Sequence, residues 1–252
     1  MRISTFMRLR FGAIRVGRIE LRWTLTRHNR PVPKLDLDIS SLRPGSIKLH
    51  FGPGAEWKTS DHSWITVDAD PTRGDIVLDF AKFESLPLAA KSVACVYASH
   101  TFEHINVFRL PLVLAECHRV LIDGGWVRIV VPDARKSMEE YLTGNADWPL
   151  FVRRRERAKR LYGEHYTLFE CMKEDFLSRS DQGPLLGPER LAHQNAWDFD
   201  SLARSLERAG FAKDRIYRRH FRVVGSPEFD FEGTYDSEAN EEDRSLYVEA
   251  QK

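Results

Sequence analysis

Residues 47–70, IKLHFGPGAEWKTSDHSWITVDAD, decide the reading of the fold. Ile47, Lys48, Leu49 and His50 read as a buried strand that runs through Phe51 into a turn holding Gly52 and Gly54. A second short apolar strand, Trp64 to Val67, closes on Asp68. A strand, a glycine turn and an acid closing the next strand make up the nucleoside-binding half of a doubly wound sheet. The glycines let the backbone approach a ligand closely, and a helix N-terminus following the turn would offer free N–H groups. An acid in the position of Asp68 can accept both hydroxyls of a ribose. A glycine turn by itself is common; this one gains weight because the chain downstream continues in the same register.

Working outward, a third short strand is expected near residues 75–78, ending at Asp79. Val93 to Ser99, VACVYAS, is a nearly continuous apolar run that suits a central parallel strand buried on both faces. Leu110 to Leu121 reads as a helix, with Leu114, Cys117 and Leu121 on one face and Glu116 spaced to pair with Arg119. Its end is expected at Asp123-Gly124-Gly125, where glycine can supply a left-handed cap. WVRIVV, 126–131, is the fifth strand, closed by Pro132-Asp133. Residues 134–190 form a long insertion, expected to be helical at 135–143 and 151–179 and followed by a loop with Gly183, Pro184, Gly187 and Pro188. Asp200 is expected to N-cap a helix over 201–209, and strands near 215–224 and 245–250 complete the sheet. The fold class is therefore α/β: a doubly wound, mostly parallel seven-stranded sheet with a helical insertion.

Upstream, residues 1–34 hold nine Lys or Arg against the single acid Glu20. Around Ile19, Leu21 and Trp23 the apolar period is two, which favours a strand. Residues 31–46, with Pro31, Pro33, Pro44 and Gly45, read as a linker, so that 1–46 is an N-terminal extension and 47–252 the main domain. The alternative reading of 1–30 is a basic, amphipathic arm lying on a membrane surface. Residues 226–243 carry eight acids and no base, and such a block marks a solvated or interacting surface.

A chain of 252 residues with 42% hydrophobic and 30% charged residues is of globular type with room for a sizeable core. Its net charge of +1 makes no case for nucleic acid. Three cysteines, Cys95, Cys117 and Cys171, are odd in number and lack metal-ligand spacing, which points to a reducing compartment. No transmembrane run and no secretory leader are expected, and a cytoplasmic location follows, peripheral at a membrane if the basic arm acts as one.

In order and spacing the chain resembles the class I S-adenosylmethionine-dependent methyltransferases, and within them the methyltransferase type 11 branch. The resemblance rests on HFGPG at 50–54, WITVDAD at 64–70, DIVLDFAKFESLPL at 75–88, VACVYASHTFEHI at 93–105, ECHRVLIDGGWVRIVVPD at 116–133 and AHQNAWDFDSLARSLERAGF at 192–211. It implies a Rossmann-like methyltransferase fold with S-adenosyl-L-methionine as cofactor. Phe51, Gly52 and Gly54 would then pass the methionine part, Asp68 and Ala69 the ribose, Asp79 and Phe80 the adenine, and Ala98 and Ser99 the floor beneath the sulfonium. Here Glu56 stands where the family often has a third glycine, Pro53 separates the two glycines, and the turn runs long, to Ser63.

Methyl transfer from a sulfonium needs chiefly alignment, and a base where the acceptor is a hydroxyl. Histidine suits that role near neutral pH. His100 and His104, just past the fourth strand, and His193, before the helix near 201–209, are the candidate catalytic groups; His165 in the insertion reads as packing. His100 and Asp133 are the expected substrate contacts. His100, Glu103 and His104 also spell H-x-x-E-H, a helical zinc-ligand string in one peptidase class. Here it follows a buried strand with no third ligand in view, so it reads as coincidence and no metal is expected.

The function expected is methyl transfer to a small-molecule or saccharide acceptor, at a hydroxyl, with the pocket built by the insertion. One alternative is an NAD(P)-dependent oxidoreductase, against which Trp57 occupies the third glycine position of the G-x-G-x-x-G fingerprint. The other is a non-catalytic, cofactor-binding partner subunit. Neither the acceptor nor the oligomeric state is written in the sequence.

Overall fold

Residues 11–16, 19–25, 31–35, 43, 45–54, 57, 59–176, 193–231 and 244–252 are described by the computed structural model. The chain divides into two units, Met1–Leu42 and Arg43–Lys252. In the first unit, β1 (Phe11–Val16), β2 (Ile19–Leu25) and β3 (Pro31–Leu35) form an antiparallel sheet in that order. The period of two around Leu21 is thus a strand, with Arg22 opposite Ala13 on one side and Lys34 on the other. Residues 31–35, read as linker, instead pair with β2. Proline is tolerated there because β3 is an edge strand, where a missing N–H costs no ladder bond on the open side.

The second unit is built on β4 (Ile47–Phe51), β5 (Trp64–Asp68), β6 (Ile76–Val77), β7 (Val93–Ser99), β8 (Leu121–Pro132), β9 (Ile216–Arg219) and β10 (Ser245–Gln251). They hydrogen-bond in the order β6-β5-β4-β7-β8-β10-β9. The first five run parallel, and β10 is antiparallel to both β8 and β9. The chain therefore starts mid-sheet at β4, winds to one edge, returns past its start at β7, and ends in an antiparallel hairpin. The crevice of such a sheet lies at the switch between β4 and β7, outside the carboxyl ends of the strands.

The helices are α1 (Leu110–Val120), α2 (Ala134–Leu142), α3 (Pro149–Tyr162), α4 (Leu168–Phe176) and α5 (Phe199–Ala209). Leu114 and Cys117 lie on the buried side of α1, and Arg119 Nε meets Glu116 at 2.6 Å, as the spacing requires. The same pair clamps the preceding loop, with Glu116 Oε2 accepting from the Leu86 N–H and Arg119 donating to the Leu86 carbonyl. Three boundaries differ from expectation. α1 stops at Val120 without a glycine cap; Lys252 Nζ instead donates to the carbonyls of His118 and Leu121, at 2.6 and 2.7 Å. Gly124, with φ +81°, sits in the irregular start of β8, where the register against β7 slips. Asp198, not Asp200, caps α5, and its carboxylate and Ser201 form a reciprocal capping box. The insertion's second helix is two, α3 and α4, broken at Gly163.

Side chains alternate across the sheet, and the register sorts them by chemistry. Leu49, Ile65, Val96, Val127 and Val248 lie on an aliphatic face. The opposite face carries a row His50–Tyr97–Arg128–Glu249 across four neighbouring strands. That row is covered by aromatic side chains from the chain after β9: Phe229 and Phe231 pack on Tyr97 with ring centroids 6.2 and 4.8 Å away. Arg128 and Glu249 are both fully buried, paired at 2.7 Å, and Arg128 also donates to the carbonyls of Val223 and His220. The covering segment is tied down as well by Glu228 to Lys48.

The connections from β4 to β5, β5 to β6 and β6 to β7 contain no α-helix among the described residues. The helix expected after the glycine turn, and with it a helix N-terminus facing the cofactor, is absent from the described part of that turn. What stands there is Trp57, which turns back to pack edge-on against His50 at 4.2 Å and against Trp64 at 5.5 Å. A large aromatic side chain gains about 1.5–3 kcal/mol on burial, so Trp57 favours a turn that folds over the sheet.

Candidate active site

The carboxyl ends of β6, β5, β4 and β7 lie side by side in the sheet, where a doubly wound fold binds its ligand, and the residues expected at the cofactor stand at those ends. Phe51 is the last residue of β4 and is fully buried. Gly52 follows with φ +62°, a conformation that costs a residue with a side chain about 1–2 kcal/mol. A Cβ there would also strike Thr101 on the turn after β7. Thr101 Oγ1 donates toward the carbonyls of Phe51 and Ser99, at 3.0 and 3.1 Å, stitching the two turns across the switch point. Gly54 is left-handed too, at φ +67°, with open space where a side chain would stand.

Asp68 ends β5, and its Oδ1 accepts from the Asp70 N–H at 2.8 Å, which shapes the turn through Ala69. Burial pushes its carboxyl above the usual aspartate value against the pull of that hydrogen bond and of Arg73. Asp79 caps the short 3₁₀ turn Phe80–Lys82 through the Ala81 N–H, and the Phe80 ring sits between Phe51 and Phe83, at 5.8 and 6.1 Å. Ala98 is buried at the floor and Ser99 half-buried at the end of β7. The residues fit a nucleoside: a half-buried acid at the second strand end, an aromatic ring beyond the third, and a left-handed glycine opening on free space.

The turn after β7 concentrates the titratable groups. His100 is held at φ +47°, its N–H donating to the Val130 carbonyl. Its Nδ1 lies 3.1 Å from Glu103 Oε1 and its Nε2 3.0 Å from Ser245 Oγ at the start of β10. Glu103 and His104 stand in a 3₁₀ turn, Phe102–His104, anchored by Phe102 beneath Phe51 at 5.7 Å. Glu103 is 1% exposed. Burial pushes its carboxyl up, but the His100 hydrogen bond and the neighbouring His104 and His193 outweigh it, so the net displacement is downward.

His193 reaches this turn from far along the chain. Its ring meets that of His104 edge-on at 4.8 Å, and its Nε2 lies 4.0 Å from Glu103 Oε1. The Gln194 and Asn195 N–H groups both donate to the Glu103 carbonyl, at 2.7 and 3.1 Å, which fixes that segment. All three expected catalytic histidines thus converge on Glu103.

Asp133 is placed differently. It caps α2 through the Lys136 N–H and pairs with Arg218 at 3.1 Å, so both carboxylate oxygens are engaged by protein. His165 is exposed, on the turn between α3 and α4. Glu103 as the shared partner and Ser245 on the distant hairpin went unrecognised in the sequence. The i,i+3 spacing of His100 and Glu103 was a usable signal for the first; nothing local marks the second.

Residues 64–129 match the family model described as a methyltransferase domain. No functionally curated protein matches the chain. Among solved structures, the chain is similar to a SAM-dependent methyltransferase from Methanosarcina mazei, at 15% identity over 86% of this chain and 99% of that one, with a TM-score of 0.45. A SAM-dependent methyltransferase from Thermotoga maritima is similar at 15% identity, over 84% of each chain, with a TM-score of 0.40. A phosphoethanolamine N-methyltransferase from Haemonchus contortus, solved with S-adenosyl-L-methionine, is similar at 12% identity over 84% of this chain and 49% of that one, with a TM-score of 0.40.

Proposed function

We propose that the chain is a class I S-adenosylmethionine-dependent methyltransferase, a reading supported by its matched domain and its strand order, and that it methylates a hydroxyl of a small molecule or saccharide. The observation that carries the reading is His100: a half-buried imidazole at the carboxyl end of β7, oriented through Nδ1 by a buried carboxylate.

Bound S-adenosyl-L-methionine supplies a methyl group already activated on a sulfonium, ready for in-line displacement. Gly52 and Gly54 would admit its amino-acid part, Asp68 its ribose and Phe80 its adenine. Glu103 holds Nδ1 of His100 as the protonated nitrogen and leaves Nε2 as the acceptor, because a carboxylate takes the N–H and fixes the tautomer. An acceptor hydroxyl in the place of Ser245 Oγ would give up its proton to Nε2 as the cofactor supplies its methyl group and leaves as S-adenosylhomocysteine. The left-handed backbone of His100 is tolerated best by Asn and Asp among other residues, so His100→Asn preserves the turn while removing the base.

The test is release of S-adenosylhomocysteine over a panel of hydroxylated acceptors. His100→Asn should lower kcat by about 10² to 10⁴, the range for loss of a positioned base, with S-adenosylmethionine affinity unchanged by calorimetry. A variant that turns over at the wild-type rate sinks the assignment.

A further inference from the structure

We propose that Glu103, His104 and His193 form a binding site for one divalent transition-metal ion, zinc foremost. One ligand atom from each of these residues can be chosen so that all lie within 4.8 Å of one another. The sequence hides the set: His193 stands far from the H-x-x-E-H string, and the fold brings it back.

Two further observations point to a ligand rather than to a chance cluster. Glu103 is 1% exposed, yet its Oε2 has no hydrogen-bond partner among the described residues. A buried carboxylate oxygen left unpartnered is unfavourable because it has given up water without gaining a donor, and a cation would satisfy it. The positions are also built. The turn bearing Glu103 and His104 is pinned by Phe102 and Ile105 in the core, and residues 193–195 are tethered to it by two backbone hydrogen bonds and by Asn106 to Gln194 at 3.2 Å. The carboxylate further carries an outer partner, His100 on Oε1, as metal-bound carboxylates commonly do.

The donor chemistry selects the metal. Two imidazoles and one carboxylate suit zinc and its first-row neighbours, whereas magnesium and calcium take oxygen ligands. Three protein ligands with a position left open is the arrangement of zinc sites that bind a water or a substrate oxygen. Ligands of one tetrahedral zinc lie roughly 3.3 Å apart, given bonds of about 2.0–2.1 Å, so the widest separation in the cluster must close by about 1.5 Å. The site does not depend on which acceptor is methylated, and its test does not read activity.

Full-length protein stripped with chelator and dialysed would be titrated with zinc chloride by calorimetry, and with cobalt chloride by visible absorption. The expected result is saturable binding of about one ion per chain, with cobalt bands of low coordination number. His104→Ala and His193→Ala should each weaken zinc at least about tenfold, the lower end of what even an outer-shell partner costs. His165→Ala, at an exposed histidine, should leave affinity unchanged. His193 lies outside any helix or strand, so its variant stays informative should His104→Ala fold poorly by circular dichroism. Absence of saturable binding, or wild-type affinity in a folded His193→Ala, overturns the site.

Discussion

At the residue scale, Asp68 shows how one position serves local structure and ligand together. Its Oδ1 is occupied by the turn that follows β5, and burial raises its carboxyl above the ordinary aspartate value against the pull of that hydrogen bond and of Arg73. A ribose diol would meet the rest of the carboxylate as a charge-assisted acceptor. Asp68→Ala should therefore weaken S-adenosylmethionine by about 1.5–3 kcal/mol, the scale of a hydrogen bond to a charged group, read by calorimetric titration. Unchanged affinity would mean that the ribose is held elsewhere. Glu103 is the contrasting residue: beside its local bond to His100, its carboxylate gathers His104 and His193, so that three histidines from two segments distant in sequence meet there.

At the element scale, β4, β5 and β7 are legible because each is a short, largely apolar run ended by a turn signal, whereas β3, with Pro31 and Pro33, reads as linker. Val93–Ser99 could be read as a central strand from composition alone, and the structure pairs it with β4 and β8 on either side. Helix ends were less legible. The sequence offered Gly124 as a cap, but the cap of α1 comes from Lys252, whose proximity only the finished sheet creates. Among the described residues no α-helix follows Gly52, and what stands there is long-range: Trp57 packs on His50 and Trp64, a face that exists only once β4, β5 and β7 are paired. At the site, Gly52, Asp68 and His100 were readable from their positions at strand ends, while convergence of His193 and Ser245 on the same turn is long-range and left no local mark.

The insertion can be tested as an element. α3 and α4 share a core of Trp148, Leu150, Phe151, Ala158, Cys171 and Met172, separate from the aromatic layer of the sheet. Apart from Tyr141 on α2, which packs on Phe169, those contacts lie within the segment, so replacing residues 145–176 with a short glycine-rich linker should leave S-adenosylmethionine binding within about threefold, a difference below 1 kcal/mol, while abolishing transfer to the acceptor. Loss of both activities would place the insertion in the core or over the cofactor rather than at the acceptor.

At the scale of the whole molecule, the aromatic face of the sheet sets the response to acid. His50 is 1% exposed among uncharged rings, with Trp57, Tyr97 and Trp64 at 4.2, 4.8 and 6.4 Å. Burial lowers its pKa from 6.5 to about 3, so the folded protein keeps it neutral where the unfolded chain would protonate it. The unfolded state then binds more protons at every pH between those two values, and stability rises with pH across that window. Read downward, stability is complete above about pH 6.5 and is lost toward pH 3, with a slope on the order of 1 kcal/mol per pH unit. His118, lowered less and partly exposed, adds in the same direction. Asp61, held down at about 2, contributes its loss only at lower pH, and comparison with a variant lacking the imidazole separates His50 from the other titrating groups. Urea unfolding at steps downward from pH 6.5 should show the midpoint falling for the wild type. In His50→Phe, which keeps an aromatic ring in the row and removes the proton site, the fall should be much shallower. An equal slope in the two proteins would mean that water or a counter-charge reaches His50 and that the aromatic layer opens before the sheet does.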